Sequence, residues 1–186
     1  MARVVFAMTQ SLDGYVAYPD GTLFGPPGPK LFAHFIEHEQ GLAGAIYGRR
    51  VYELLRYWDE DRPEWEPHEH AFARAWRAHP KWIASRTLTS VGPNAMLVAD
   101  DLEGFVRTLK DRHAGVIAVA GPDLAASITR VGLLDEYHLY VRPIVLGSGI
   151  PYFAGTRPKL ELIGADRVGE DAVRLSYRAA HTNGEA

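Results

Sequence analysis

Three short segments carry residue types suited to holding an anion: Gly48-Arg49-Arg50, Ser85-Arg86-Thr87 and Gly121-Pro122-Asp123. A glycine lets backbone approach a phosphate, a helix start presents free amides, and arginine offers a planar fork to phosphate oxygens. Taken singly, exposed arginines are ordinary solubility charges, and Gly121-Pro122 is an ordinary helix start with proline in its first turn. Taken together, three such cations in a chain of net charge −3 favour an anionic ligand. His34-Phe35-Ile36-Glu37-His38 matches the H-x-x-E-H pattern of inverted zinc peptidases, in which both histidines share a helix face. The apolar stripe of that helix centres between Phe32 and Phe35, which predicts His34, Glu37 and His38 on the wet side. A metallohydrolase built on these three is the remotest reading, and no metal is expected. Asp13-Gly14 reads as a turn after the first apolar run.

Elements that could position these groups follow from hydrophobic periodicity. Val4–Met8, Ala43–Tyr47, Trp82–Ser85, Met96–Ala99 and Val116–Ala120 are short apolar runs, the mark of buried strands. Leu31–Gln40, Arg50–Tyr57 and His68–Ala78 are predicted helical, as are the stretches following Asp101 and Asp123. Tyr137–Val145 is predicted as one long strand, and Leu160–Val168 and Ala172–Ala180 as an antiparallel pair turning at Gly169. This alternation predicts an α/β fold: three α/β/α layers around a mostly parallel mixed sheet with antiparallel C-terminal strands. In such sheets ligands lie at the carboxyl ends of strands, where all three anion-suited segments fall.

Composition narrows the classes. A chain of 186 residues, 47% hydrophobic, is expected to form one domain over 1–186 with a substantial core. Twenty basic against 23 acidic residues exclude nucleic-acid binding as the main activity. The absence of cysteine excludes thiolate chemistry, disulfides and cysteine-ligated metals. The first apolar run is too short for a secretory signal core and no stretch is long enough to span a membrane, so a soluble cytoplasmic protein is expected. No G-x-G-x-x-G or P-loop pattern occurs, and Leu146 and Ile150 flank Gly147-Ser148-Gly149 where a nucleophile elbow needs glycines. A standard Rossmann dehydrogenase, a P-loop NTPase and an α/β-hydrolase are thereby set aside.

In order along the chain, Ser11-Leu12-Asp13-Gly14-Tyr15-Val16-Ala17, Gly48-Arg49-Arg50-Val51-Tyr52-Glu53, Tyr57-Trp58 and Lys81-Trp82-Ile83-Ala84-Ser85-Arg86-Thr87-Leu88 form a recognisable series. It continues with Gly121-Pro122-Asp123-Leu124 and with Leu133-Leu134-Asp135-Glu136-Tyr137 running to Gly147-Ser148-Gly149. The series resembles the dihydrofolate reductase-like superfamily, most of all stand-alone relatives of the C-terminal reductase domain of bacterial riboflavin biosynthesis.

That resemblance implies NADPH across the carboxyl ends of the sheet and hydride transfer to a C=O or C=N carbon of a small substrate. It assigns Gly48, Arg49 and Arg50 to the 2′-phosphate side, Ser85, Arg86 and Thr87 to the adenosine ribose phosphate, and Gly121, Pro122, Asp123 and Leu124 to the pyrophosphate. Ala7 and the Asp13-Gly14 turn would face the nicotinamide. Leu31, Phe32, Phe35 and Trp58 would line an apolar substrate pocket, and Asp13 and Tyr15 are the candidate proton donors. Leu31 stands where dihydrofolate reductases carry an acid on the first helix, which argues against folate as substrate. The family's Gly-Gly turn, which holds a cis peptide, is Gly121-Pro122 here, and proline makes a cis bond cheap. Relatives pair as homodimers through their late strands, and Tyr137–Val145 with Pro151-Tyr152-Phe153 offers apolar surface for that. The other reading left open is a nucleotide- or drug-binding module of the same fold without turnover.

Overall fold

The computed structural model describes residues 1–180. In chain order its elements are β1 (Arg3–Gln10), β2 (Tyr15–Ala17), α1 (Pro29–Gln40), β3 (Leu42–Gly48), α2 (Arg49–Leu55) and, after a single 3₁₀ turn at Arg56–Trp58, α3 (Pro67–Ala78). There follow β4 (Lys81–Ala84), β5 (Ala95–Val98), α4 (Leu102–Arg112), β6 (Val116–Ala120), α5 (Pro122–Arg130), β7 (Glu136–Val141), β8 (Ile150–Pro151), β9 (Leu160–Val168) and β10 (Ala172–Ala179).

The apolar runs become the interior of one eight-stranded sheet in the order β5-β4-β3-β6-β1-β7-β10-β9. The first six strands are parallel, and β10 runs antiparallel to both its neighbours. Central strands read as continuous apolar runs because both their faces are covered. On one face Phe6, Ile46, Ile117 and Val119 pack with Val106 and Leu109 of α4 and Leu124 and Ile128 of α5. On the other, Ala45, Tyr47, Ile83 and Ala118 pack with Phe72 and Trp76 of α3 and with Phe32, Phe35 and Ile36 of α1. The three-layer architecture with antiparallel C-terminal strands is thus as the periodicity requires.

Local departures have local causes. The strand expected over Tyr137–Val145 ends at Val141, because Pro143 has no N–H to give a ladder and the Ile144 amide turns back onto the Arg142 carbonyl (2.8 Å). The two-residue strand β8 pairs with β2 in a separate small sheet, too short to show as periodicity. No described peptide bond is cis, so Gly121-Pro122 is trans; the turn is made instead by Gly121 at φ 116°, a conformation open to glycine. Of the three residues expected on the wet side, Glu37 is exposed, whereas His34 and His38 are half-buried. Beyond the apolar stripe, α1 lies over the polar side of β7, where the His34 ring meets the Tyr140 hydroxyl (3.1 Å). Burial holds the pKa of both histidines below the ordinary value.

The β9–β10 turn fixes the start of α1. Gly28, the N-cap residue, has no side chain to cap with, and the Glu170 carboxylate accepts the Lys30 amide (2.8 Å) and the Leu31 amide (3.3 Å) instead. Gly169 makes this approach possible: a Cβ there would fall 2.7 Å from the Leu31 amide nitrogen.

Candidate functional site

The carboxyl ends of β1, β3, β4, β5 and β6 open into a cleft of about 960 Å³. Nine of the residues expected to hold a cofactor line it: Gly48, Arg49, Arg50, Ser85, Arg86, Gly121, Pro122, Asp123 and Leu124. At its floor two backbones meet. A Cβ on Gly121 would lie in ordinary contact, 3.7 Å from the Gly48 amide nitrogen and 3.6 Å from Val51 Cγ2, so it is the φ of 116° rather than lack of room that calls for glycine there.

α5 begins at this floor. No side chain caps it, and Pro122 has no N–H, so Asp123 and Leu124 supply the first amide donors of the helix and both residues line the cleft. Uncapped first-turn amides at the positive end of a helix suit a phosphate. Where β4 ends, Ser85 Oγ accepts the amides of Thr87 (3.2 Å) and Leu88 (3.1 Å), a tight turn that sets Arg86 at the cleft wall. Among the described residues, none of the guanidinium groups of Arg49, Arg50 and Arg86 has a carboxylate within the 4.0 Å of an ion pair. Free arginine forks and open amides around one cavity form a donor set that fits a dinucleotide with an additional phosphate.

Other expected residues stand elsewhere. Asp13, a candidate proton donor, lies outside the lining and binds its own surroundings. Its Oδ1 accepts Ser11 Oγ (2.6 Å) and the Leu146 amide (3.1 Å), and its Oδ2 the Gly147 amide (2.7 Å). The Ser11 hydroxyl first, then the amides of Leu146 and Gly147, lower its pKa, so it is a carboxylate at neutral pH with no proton to give. Tyr15 is held in β2 opposite Pro151 and also lies outside the lining, as do Gly14 and Thr87. Ala7 packs on the opposite side of the sheet with Leu31 and Tyr140.

Leu31, Phe32, Phe35 and Trp58, expected to line an apolar substrate pocket, lie outside the lining of this cleft and pack on other side chains, Leu31 fully buried and the other three half-buried. Leu31 lies among Tyr140, Val168 and Ala172. Phe32 stacks on Phe72 (5.3 Å between centroids), Trp58 packs at a tilt on Phe72 (4.9 Å) and Trp65 (5.0 Å), and Phe35 meets Tyr140 edge-on (5.1 Å). Periodicity marks such residues as inward-facing and cannot tell a core from a cavity wall. The surface expected of the late strands is partly core as well: Tyr137, Tyr140 and Tyr152 are each 1% exposed, and Tyr152 donates to the Phe6 carbonyl (2.9 Å). Among the described residues no three His, Asp or Glu side chains converge to hold a metal ion.

Sequence reasoning missed the other half of the cleft. Met8, Val16, Ala17, Leu23 and Ile150 give it an apolar wall, and a strap bearing Asp20 and Gly21 also lines it. The strap was signalled by Pro19-Asp20-Gly21, a turn sequence between apolar residues. Also missed were the acids Glu53, Asp100 and Asp101, which with Asp20 and Asp123 outnumber the three arginines of the lining. Asp101 is committed to α4, where it accepts the Gly104 amide (3.0 Å).

The topology and the cleft at the strand ends define a dihydrofolate reductase-like fold; dihydrofolate reductase from Enterococcus faecalis complexed with NADP(H) superposes with a TM-score of 0.64 over 96% of this chain and 97% of that one, at 12% identity. The model of the RibD C-terminal domain matches residues 2–174, and the chain belongs to that family. A putative riboflavin biosynthesis protein from Shewanella sp. PV-4 is similar along its whole length, with a TM-score of 0.72 and 23% identity over 97% of this chain. The uncharacterized protein YyaP of Bacillus subtilis (strain 168) is 24% identical over 98% of this chain and 96% of its own. Among the described residues no helix is long and apolar enough to cross a membrane.

Proposed function

We propose that this protein is an NADPH-dependent reductase acting on a C=O or C=N carbon of a small substrate, a relative in chemistry of the reductase step of riboflavin biosynthesis. The observation that carries the reading is the floor of the cleft, where the uncapped start of α5 faces Gly48 and the free Arg49, Arg50 and Arg86 stand at the neighbouring strand ends. Bound there, NADPH supplies a hydride. The chain's own residues bind and orient. The amides of Asp123 and Leu124 hold the pyrophosphate, Arg49 and Arg50 the 2′-phosphate side, and Ser85 and Arg86 the adenosine ribose. Met8, Val16, Ala17, Leu23 and Ile150 keep water from the reacting end.

The test is NADPH consumption by the purified protein across a panel of small carbonyls and imines, followed by the loss of NADPH absorbance. Turnover of at least one compound supports a reductase. Tight NADPH binding with no turnover on any of them replaces it with a nucleotide-binding module. We further propose a homodimer through the late strands, supported by Leu162 and Val173, which are 56% and 41% exposed on β9 and β10. Light scattering that gives a monomer mass at micromolar concentration would refute it.

A further inference from the structure

This inference rests on the reductase reading and concerns what holds the apolar wall of the cleft in place. Val16 and Ala17 of that wall belong to β2, which is well fastened. Ahead of it the Leu146 and Gly147 amides hold Asp13, the Tyr152 amide donates to the Gly14 carbonyl (3.0 Å), and β2 itself pairs with β8. The strap that follows, residues 18–27, brings Asp20, Gly21 and Leu23 to the cleft without such support. Pro19, Pro26 and Pro27 have no N–H to offer. The Tyr18 amide donates to the Thr22 carbonyl (2.9 Å), the Gly21 amide to the Tyr18 carbonyl (2.9 Å) and the Thr22 amide to Asp20 Oδ1 (2.8 Å), which ties the strap only to itself.

Among the described residues, one side chain supplies the hydrogen bonds that join residues 18–27 to the rest of the chain. Arg142 Nη1 donates to the Gly25 carbonyl (3.0 Å) and Nη2 to the Pro26 carbonyl (3.1 Å), and its Cζ lies 5.7 Å from the centre of the Phe24 ring. Phe24 is buried, whereas its neighbour Leu23, in the cleft wall, is 55% exposed. Arg142 is itself a stiff anchor. Its amide donates to the Gln10 carbonyl (2.9 Å), adding a rung between β7 and β1, and its carbonyl accepts the Ile144 amide (2.8 Å). Among the described residues its guanidinium has no ion-pair partner, and its buried Nε meets no acceptor. The bonds the guanidinium makes therefore go to the strap, and a charged fork on carbonyls bonds more strongly than a neutral donor does.

We propose that Arg142 is a positioning residue of the cleft: by pinning the Gly25 and Pro26 carbonyls it keeps Leu23 in the wall with Met8, Val16, Ala17 and Ile150, and so keeps water from the reacting end. The phosphates of the cofactor are held elsewhere, by the α5 amides and by the arginines where β3 and β4 end. Arg142 accordingly governs the surroundings of the nicotinamide and not the strength of cofactor binding.

Two measurements on the full chain test this. Digestion by chymotrypsin with no cofactor present reads the strap directly, because Leu23 and Phe24 are its cutting sites there and Phe24 is buried. Arg142→Met keeps the apolar stem and removes the donors. In this variant cutting within the strap is expected to quicken at least about tenfold with cuts elsewhere unchanged, and in Arg142→Lys by less. Unchanged cutting in the strap, or the same acceleration at every site, overturns the proposal. Fluorescence titration with NADPH then reads the wall. Bound to Arg142→Met, NADPH is expected to lose at least about half of its emission enhancement as water reaches the nicotinamide, while its dissociation constant stays within about threefold of the native value. An enhancement that holds, or a dissociation constant that weakens by more than that, overturns the proposal and leaves the reductase reading standing. Failure of NADPH to bind the native chain overturns the reductase reading instead, and the cofactor-free digestion still decides whether Arg142 holds the strap.

Discussion

Lys81 opens β4 with its side chain turned into the interior, 1% exposed, and its ammonium has little company. Nζ donates to the His79 carbonyl (3.1 Å) and lies 4.2 Å from the centre of the Trp76 ring. Burial lowers its pKa from 10.5 to about 8, against the opposing pull of Asp59 and Glu39. The folded chain therefore releases this proton near pH 8 and the unfolded chain only near 10.5, so stability rises with pH between those values. The full shift corresponds to about 3.4 kcal/mol, which we discount to about 2 kcal/mol for residual solvent screening. Lys81→Met keeps the apolar stem and leaves no carbonyl orphaned, because Asn94 Nδ2 also donates to His79 O (2.8 Å). The variant is expected to be more stable than the native chain at pH 7 by about 1–2 kcal/mol, the cation–π contact offsetting part of the gain. Urea unfolding of both chains from pH 7 to 9.5 measures the difference, which should shrink by at most about 1.4 kcal/mol per unit above pH 8. A variant less stable at pH 7, or a gap independent of pH, would refute the reasoning.

Other consequences follow from named contacts. Asp135→Asn should destabilise by about 2–3 kcal/mol in urea unfolding, because the carboxylate receives Lys110 Nζ at 2.6 Å and the Val4 amide at 2.7 Å, tying α4, β1 and β7 together. Gly169→Ala should cost about 3 kcal/mol or more, since its Cβ would strike the Leu31 backbone at a φ of 68°. Gly147→Ala, at a φ of 74° with nothing within 4 Å, should cost only about 1–2 kcal/mol in the same assay. Arg49→Ala with Arg86→Ala should weaken NADPH by about a hundredfold and NADH by much less, as competition binding would show; equal losses would show that these arginines do not read the 2′-phosphate.

Much of the fold was legible because a doubly covered strand must be apolar throughout, so Val4–Phe6, Ala45–Tyr47 and Ile117–Val119 announced the central sheet. The segments following such runs fall at strand ends, and that alone assembled Gly48, Ser85 and Gly121 around one cleft. What stayed hidden depended on partners distant in sequence. Lys81 looks like a surface charge until Trp76 and the His79 carbonyl are placed around it. His34 and His38 look solvated until β7 supplies Tyr140, and Asp13 looks catalytic until the Leu146–Gly147 turn arrives from across the chain. The helix period placed Leu31, Phe32 and Phe35 inward correctly, but whether inward meant core or cavity rested on Tyr140, Val168 and Phe72. The acids of the cleft gave no sign, because Asp20, Glu53 and Asp100 are single carboxylates of a kind that any surface carries.

The central claim, that this cleft holds a phosphorylated nicotinamide dinucleotide, is tested most directly by titrating the purified protein with NADPH and following its fluorescence. Saturable binding is expected with a dissociation constant of about 1–100 μM, within the usual range for such ligands, and displacement by a compound carrying the adenosine 2′-phosphate alone. No saturable change in fluorescence at millimolar NADPH would contradict it.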